Sequence, residues 1–342
     1  MARILVTGGA GFIGSNFVDF MLRQQADAEV VVLDKLTYAG NVENLAPWRQ
    51  DPRLRFVRGD IADRATVREV MQGCALVYNF AAESHVDRSL QDAEAVVWTN
   101  VRGTQVLLDA ARELQVQRYV QVSTDEVYGS RAEGKSDEAT ALRPSNPYAA
   151  CKAAGDLLVL AAVTTWKLPA LVTRSSNNYG PYQHPEKLVP LHITNALEGK
   201  PLPIYGDGKN VRDWLYVEDH CRAIELVGRQ GRNGEIYNIG GGNERPNLWL
   251  VDRIVQHTGC DPALKQFVRD RPGHDFRYAV DDAKVRVLGW QPRWSLEEGL
   301  AQTVRWYAEH RDWWGRIKSG EFAAYYRSQY AAGAPPEPEK NP

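Results

Sequence analysis

The stretch that most restricts what this 342-residue chain can become is "ILVTGGAGFIGSNF", residues 4–17. An apolar, β-branched run enters a cluster of glycines and leaves it as an amphipathic helix. Gly9, Gly11 and Gly14 fit G-x-G-x-x-G, and Gly8, Gly11 and Gly14 fit the wider G-x-x-G-x-x-G. Glycines so spaced permit a tight strand-to-helix turn, close approach of backbone to a bound group, and close packing of helix on strand. The helix N-terminus then offers free N–H groups and a positive dipole end to an anion. Asp34 closes the next apolar run, where a carboxylate can accept from ribose hydroxyls. Strand, turn, helix and acidic residue together predict a dinucleotide site. Asp34 repels a 2′-phosphate and so favours NAD over NADP, while Lys35 beside it pulls the other way. Asp60, after "RFVRG", either meets the adenine or caps the helix that follows.

The rest of the first half repeats the alternation. Candidate strands at 4–7, 30–34, 54–57, 76–80, 119–123 and 170–174 are separated by helical patterns near 12–25, 63–72, 88–114 and 147–166. Such alternation predicts an α/β fold with a doubly wound parallel sheet. From Ser175 onward Pro, Gly and Asn separate shorter elements, which predicts a second, smaller lobe with segments returning to the first. "YNIGGGNERPNLWLVDRIV", 237–255, reads as strand, glycine turn and helix, with Asn247 as the cap. The last residues, 331–342, are rich in Pro and Ala without periodicity and are expected to be a disordered tail.

Composition narrows the partners. A net charge of −2 gives no field to attract nucleic acid or an anionic membrane, so anion binding has to be local. No signal-peptide pattern and no stretch near the length of a membrane span is apparent, and a cytoplasmic location is expected. Cys74, Cys151, Cys221 and Cys260 are scattered, without ligand spacing, and read as isolated thiols in a reducing compartment. His85 and His184 lack a second ligand at useful spacing, so no metal is expected.

Two further motifs carry chemistry. In "SNPYAACKAAGDLLVLAAV", Asn146 suits a helix cap and Pro147 the first helical position. Tyr148 and Lys152 then lie at i and i+4 on one face, where an ammonium favours the phenolate. In "STDEVYGS", 123–130, an apolar strand ends directly in Thr124, Asp125 and Glu126. A turn explains one acidic residue. Two crowded carboxyls at the carboxyl edge of a parallel sheet suit an acid and a base working on adjacent carbons.

Glycine loop, Asp34, Ser123–Thr124 and Tyr-x-x-x-Lys, in that order, resemble the extended short-chain dehydrogenase/reductase family across residues 1 to 320. That resemblance implies a Rossmann-type sheet with a smaller C-terminal α/β substrate domain. An NAD-binding domain would span 1–174, with a returning segment near 211–239, and 175–210 and 240–320 would bind a nucleotide-sugar. "STDEVYG" is similar to the dTDP-glucose 4,6-dehydratases within the family. By that likeness Tyr148 is the base at the 4-hydroxyl, tuned by Lys152, and Thr124 bonds the 4-oxygen. Glu126 removes the C5 proton and Asp125 protonates the C6 hydroxyl.

Further contacts are implied by the same resemblance. Gly8, Gly11, Phe12, Ile13, Gly14, Asp34, Lys35 and Thr37 would hold NAD, with Asp60, Ile61, Ala81, Ala82 and Asn178 completing the set. The cofactor would stay bound and be recycled. On the sugar side the candidates are Ser84, His85, Asn177, Glu186, Lys187 and Leu188. Pro203 and Tyr205 would lie near the base. Arg212, Arg271 and His274 would meet the diphosphate, with Asn247 and Tyr278 nearby. Partners are then dTDP-glucose and a second copy of the chain through a four-helix bundle. A UDP-sugar 4-epimerase, a UDP-glucuronate decarboxylase or an inactive relative are the alternatives; an epimerase needs no acid–base pair at C5 and C6, and a decarboxylase would release CO2 rather than water. Cys151, where a serine is commoner, places a thiol next to the Lys152 ammonium in sequence.

Overall fold

Apolar runs that bury both faces need partners on both edges, and in the computed structural model they find them side by side. Its described residues are 2–270 and 274–319. The first half contributes β1 (Arg3–Thr7), α1 (Phe12–Gln24), β2 (Glu29–Asp34), β3 (Leu54–Arg58), α2 (Arg64–Met71) and β4 (Leu76–Asn79). There follow α3 (Val86–Gln91), α4 (Ala93–Val96), α5 (Thr104–Glu113), β5 (Arg118–Thr124), α6 (Pro147–Trp166) and β6 (Ala170–Ser175). The second half adds β7 (Asn177–Tyr179), α7 (Leu188–Glu198), β8 (Leu202–Tyr205), β9 (Val211–Tyr216), α8 (Val217–Gln230) and β10 (Ile236–Ile239). β11 (Glu244–Pro246), α9 (Asn247–Thr258), β12 (Lys265–Val268), α10 (Ala283–Val287), α11 (Leu296–Glu309) and α12 (Arg311–Lys318) complete it.

Seven strands form one sheet in the order β10-β6-β5-β4-β1-β2-β3, and every neighbouring pair is parallel. The order reverses between β1 and β4, which opens a crevice at their carboxyl ends. Alternate residues of β1 serve opposite cores: Ile4 and Val6 pack with Phe17 and Ile224, whereas Leu5 packs with Val67, Leu107 and Val159. Each such fully buried aliphatic side chain contributes about 1.5–3 kcal/mol. The expected doubly wound sheet is therefore present, with helices on both faces.

The second lobe has a three-stranded sheet, β11-β9-β7, and a β12–β8 pair. Its own core gathers Trp214, Leu250, Leu300, Tyr307 and Trp314. Two elements return to the large sheet: α8 packs against α1 and β10 pairs with β6. Val211–Tyr216 does not return, because β9 is held between β7 and β11.

Three local expectations need correction. The helical pattern at 88–114 is broken rather than continuous. Asp92 leaves helical backbone and caps α4 by accepting from the Ala95 amide at 3.1 Å, and Val97–Gly103 is wound as a π-helix. Gly103 lies close against Ile61, where an added Cβ would come within 2.5 Å of that side chain. Asn247 is not the cap of α9: Pro246 holds that position, and the buried Asn247 Oδ1 accepts no hydrogen bond. Finally, α6 is long and apolar enough to cross a membrane by length and composition. It nevertheless carries buried Lys152 and Asp156 and packs on β5 and β6, as a core helix does. The tail expected at 331–342 lies outside the described residues.

Candidate active site

Gly8 turns out of β1 at φ +69, with Ala81 so near that a Cβ would lie 2.6 Å from its amide nitrogen. Gly14, on α1, faces the Gly8 carbonyl at a Cβ distance of 2.2 Å. Any larger residue at either position would separate α1 from the loop. Gly9 instead makes room for Val32. Gly8, Gly11 and Gly14 thus allow the tight strand-to-helix loop, and Gly11 caps α1 without a side-chain acceptor.

Asp34 is buried, with its oxygens accepting from the amides of Ala10 (2.9 Å) and Leu36 (2.8 Å). Burial raises its proton affinity, and those two amides oppose the rise. Lys35 pairs with Asp60 at 2.8 Å, which offsets the cation beside Asp34 that would favour a 2′-phosphate. The cap of α2 is Asp63, which accepts from the Ala65 amide, so Asp60 is free of that duty. These groups line a cavity of about 210 Å³ along the carboxyl edge of the sheet. Phe12, Ile13, Thr37, Ile61, Ala81 and Ala82 line it too, and Tyr148 and Lys152 stand at its far end.

A second cavity, of about 170 Å³, joins the first at Ser84, Glu186 and Lys187. Its walls include His85, Glu126, Asn177, Leu188, Pro203, Tyr205, Arg212, Asn247 and His274. Lys187 Nζ donates to the Ser84 carbonyl at 2.7 Å, and Arg88 Nε donates to Glu186 at 3.1 Å. Arg212 donates to the carbonyls of Val211 and Asp275, and its guanidinium lies 4.4 Å from the Tyr278 ring centroid. Tyr278 itself does not line the cavity; its hydroxyl donates to Asp275 at 2.5 Å. His85 caps α3, accepting from the Arg88 amide at 3.4 Å. Asn178 lines neither cavity: its amide donates to Ser175 and Ser176 and its oxygen faces His220 at 2.9 Å. Arg271 lies outside the described residues.

The turn after β5 brings the chemistry to the join. Asp125–Tyr128 forms one 3₁₀ turn, capped by Thr124, whose hydroxyl accepts from the Glu126 amide at 3.3 Å. Adjacent residues on so tight a turn diverge. Asp125 points inward and is 3% exposed, whereas Glu126 reaches the wall of the second cavity. Neither Asp125 Oδ2 nor Glu126 Oε2 has a hydrogen-bond partner. Burial pushes the Asp125 carboxyl well above the usual range, reinforced by Glu126 and Asp213 and opposed by Arg212. Enclosure therefore favours the protonated form of Asp125 relative to an exposed carboxyl.

Tyr148 differs from expectation. Burial, then Glu126, raises its phenol well above the ordinary value, and a hydrogen bond with Thr124 works the other way. The Lys152 ammonium is directed at the Val122 carbonyl, 2.5 Å away. Burial lowers Lys152 to about 8, opposed by the charge of Asp156. The Cys151 thiol is buried and raised by that burial, so it is not activated by its neighbour.

Sequence reasoning missed Asp87, Leu191, His192, Trp214 and Val251 in the second cavity, and Glu83, Gln183 and His184 in the first. Asp87 was the one with a signal, lying within "SHVDRS" next to His85.

The family described as GDP-mannose 4,6 dehydratase matches residues 5–303. This chain belongs to that family. The dTDP-glucose 4,6-dehydratase of Streptomyces niveus is 53% identical over 94% of this chain and 97% of that protein. DesIV, a dTDP-glucose 4,6-dehydratase from Streptomyces venezuelae solved with NAD and TYD bound, superposes with a TM-score of 0.91. It is 53% identical and covers 92% of this chain and 100% of its own. A UDP-glucose 4-epimerase from Thermotoga maritima is more distant: 31% identity, TM-score 0.84, with 90% and 99% of the two chains covered. The Rossmann-type expectation and the family resemblance both hold.

Proposed function

We propose that this protein is an NAD-dependent dTDP-glucose 4,6-dehydratase, a hydro-lyase that yields dTDP-4-keto-6-deoxyglucose. The observation that carries the reading is the Asp125–Glu126 turn: one carboxyl is enclosed, where burial raises its proton affinity, and the other stands on the cavity wall. A 4-epimerase has no step that needs such a pair.

NAD fits the first cavity, because a Cβ at Gly8 or Gly14 would close the loop and Asp34 sits where ribose hydroxyls are accepted. Gly8, Gly11, Phe12, Ile13 and Gly14 would hold the diphosphate end, and Thr37, Ile61, Ala81 and Ala82 the flanks. When bound, NAD serves as a two-electron acceptor at C4 and donor at C6, so it is recycled. The chain's own residues move the protons. Tyr148, as the phenolate that the positive charge of Lys152 favours, takes the proton of the 4-hydroxyl, with Thr124 bonded to the same oxygen. Oxidation at C4 makes the C5 hydrogen acidic. Glu126 removes it while Asp125 protonates the C6 hydroxyl, which leaves as water.

Arg212, stacked on Tyr278, is assigned to the substrate diphosphate, where a guanidinium fork suits phosphate oxygens. Residues 1–174 with α8 and β10 are assigned to NAD, and the second lobe to the nucleotide-sugar. A homodimer through a four-helix bundle is supported by exposed apolar side chains on the α3–α6 surface: Leu90, Val97, Trp98, Leu157 and Trp166. Four unpaired thiols suit a cytoplasmic location.

Mass spectrometry of the sugar nucleotide after incubation with dTDP-glucose, without added cofactor, tests the reading. Loss of one water without accumulation of reduced cofactor supports it. An unchanged mass with a new epimer would assign epimerase activity instead.

A further inference from the structure

The helix that carries Tyr148 and Lys152 holds one more charged residue in its buried stripe. Asp156 follows Lys152 at i+4, so the three share a face of α6. Its side chain is wholly enclosed, and that of Arg174 on β6 is 2% exposed. Asp156 Oδ2 accepts from Arg174 Nε at 2.9 Å and from Ser123 Oγ at 3.0 Å, while Oδ1 has no hydrogen-bond partner. Arg174 also donates to the Tyr128 hydroxyl at 3.0 Å, and Tyr128 donates to Asn238 Oδ1 at 2.8 Å. One run of contacts thus joins α6 to the turn that carries Asp125 and Glu126, and ends on β10.

Stability is a poor reason for such a pair. Two enclosed charges lose hydration, and apolar side chains of similar volume commonly pack as well. The surroundings of Lys152 suggest a better one. On α6 it is flanked by Tyr148 and Asp156; from β5 it meets the Val122 carbonyl, with Ser123 bonded to Asp156. Asp125 and Glu126, on the turn, act on Tyr148. Arg174 stands behind Asp156 on β6. On α3, Arg88 is turned to Glu186 and Asp87 to Tyr205; on α5, Asp109 pairs with Arg64 and Arg112 stacks on Trp166. Asp156 is the carboxylate that acts on Lys152, raising a proton affinity that burial has brought down to about 8.

We propose that Asp156 and Arg174 are positioning residues for this active site: Asp156, clamped by Arg174 and Ser123, is the counter-charge that keeps Lys152 cationic, and Arg174 fixes the acid–base turn through Tyr128. The proposal deepens the dehydratase reading and rests on it for the kinetic consequence. Removing Asp156 alone would strand the Arg174 charge in the core, so the test removes both charges and keeps amide hydrogen bonds.

The test variant is Asp156→Asn/Arg174→Gln, with its fold checked by thermal denaturation. The ionisation of Lys152 is followed by NMR of ¹³C-lysine-labelled protein, its resonance identified by loss in Lys152→Arg. The expected result is a titration at least one pH unit lower in the double variant, a tenfold loss of proton affinity. In single-turnover reduction of bound cofactor by dTDP-glucose, the alkaline limb of the pH profile should move down by the same amount, with KM within threefold. A folded double variant in which Lys152 titrates as in the wild type overturns the counter-charge role. Arg174→Lys, which keeps the charge but loses the fork, should leave the Lys152 titration in place and slow dehydration, with exchange of the C5 proton, about tenfold. Wild-type rates in that variant overturn the positioning role, whether or not the double variant folds. If the wild type does not act on dTDP-glucose, the dehydratase reading fails, and the NMR titration still decides whether Asp156 is the counter-charge.

Discussion

The first cavity takes its walls chiefly from the carboxyl ends of neighbouring strands in one sheet, and most of its lining comes from short contiguous motifs: 8–14, 33–40, 59–61 and 80–84. The second is assembled from short runs, 84–87, 186–188 and 203–205, with single residues and a pair drawn from segments between Glu126 and His274, across both lobes. One is a feature of secondary structure; the other exists only once the lobes are packed together. The join between them is where Glu126, Tyr148 and Lys152 converge, each fixed by an element of the large sheet or the helix on it. The candidate catalytic residues therefore sit on the large sheet and its helix, whereas much of the second cavity's wall comes from α7, β8, β9 and α9 of the second lobe.

Substitutions on either side can break that division. The largest effect is expected from Glu126→Gln, which should reduce dehydration about 10²- to 10⁴-fold. It should still allow reduction of bound cofactor while abolishing exchange of the C5 proton with solvent. Normal turnover, measured by product formation, would remove Glu126 from the elimination. Next in size is Gly14→Ala, because its new Cβ would lie 2.2 Å from the Gly8 carbonyl oxygen. A stability loss of about 1–3 kcal/mol is expected, together with cofactor missing from the purified protein. Calorimetry and absorbance measure both; full cofactor content in this variant would contradict the loop geometry.

On the other side of the join, Arg212→Lys should raise KM for dTDP-glucose about tenfold, leave kcat within a few-fold and leave cofactor content unchanged. A fall in kcat alone, seen in steady-state kinetics, would place Arg212 in the chemistry rather than in binding. The smallest change expected is a gain in stability from Asp125→Asn. The folded carboxyl binds its proton more tightly than the unfolded one, whose reference value is 3.8. Its contribution is thus fully present below that value and is lost as pH rises toward the raised folded value. Asn has no proton to lose, so the variant should match the wild type near pH 4 and exceed it by about 1–3 kcal/mol at pH 8. Denaturant curves at the two pH values measure this, and a difference between variant and wild type that does not change with pH would mean that folding does not raise the Asp125 carboxyl.

Much of the first cavity was legible in sequence because its constraints are local. A tight turn needs glycine wherever a Cβ would meet backbone, and a phenol and an ammonium at i and i+4 share a helix face whatever surrounds them. The second cavity was legible only by resemblance. Nothing in the spacing of Trp214, His192 or Val251 marks them as neighbours of Glu126. Asn247 shows the limit in the other direction: its local pattern reads as a helix cap, yet Pro246 takes that place and leaves Asn247 on the cavity wall.

By itself the sequence determined the strand–helix alternation, the glycine loop, the Tyr148–Lys152 face and the adjacency of two carboxyls, all consequences of backbone periodicity and covalent order. Tertiary structure alone decided that Asp125 turns inward while Glu126 reaches the wall of the second cavity, that Lys35 pairs with Asp60, and that Asp156 and Arg174 pair in the core. Burial and long-range pairing set proton affinity and charge, and both depend on which distant segments exclude water from a group.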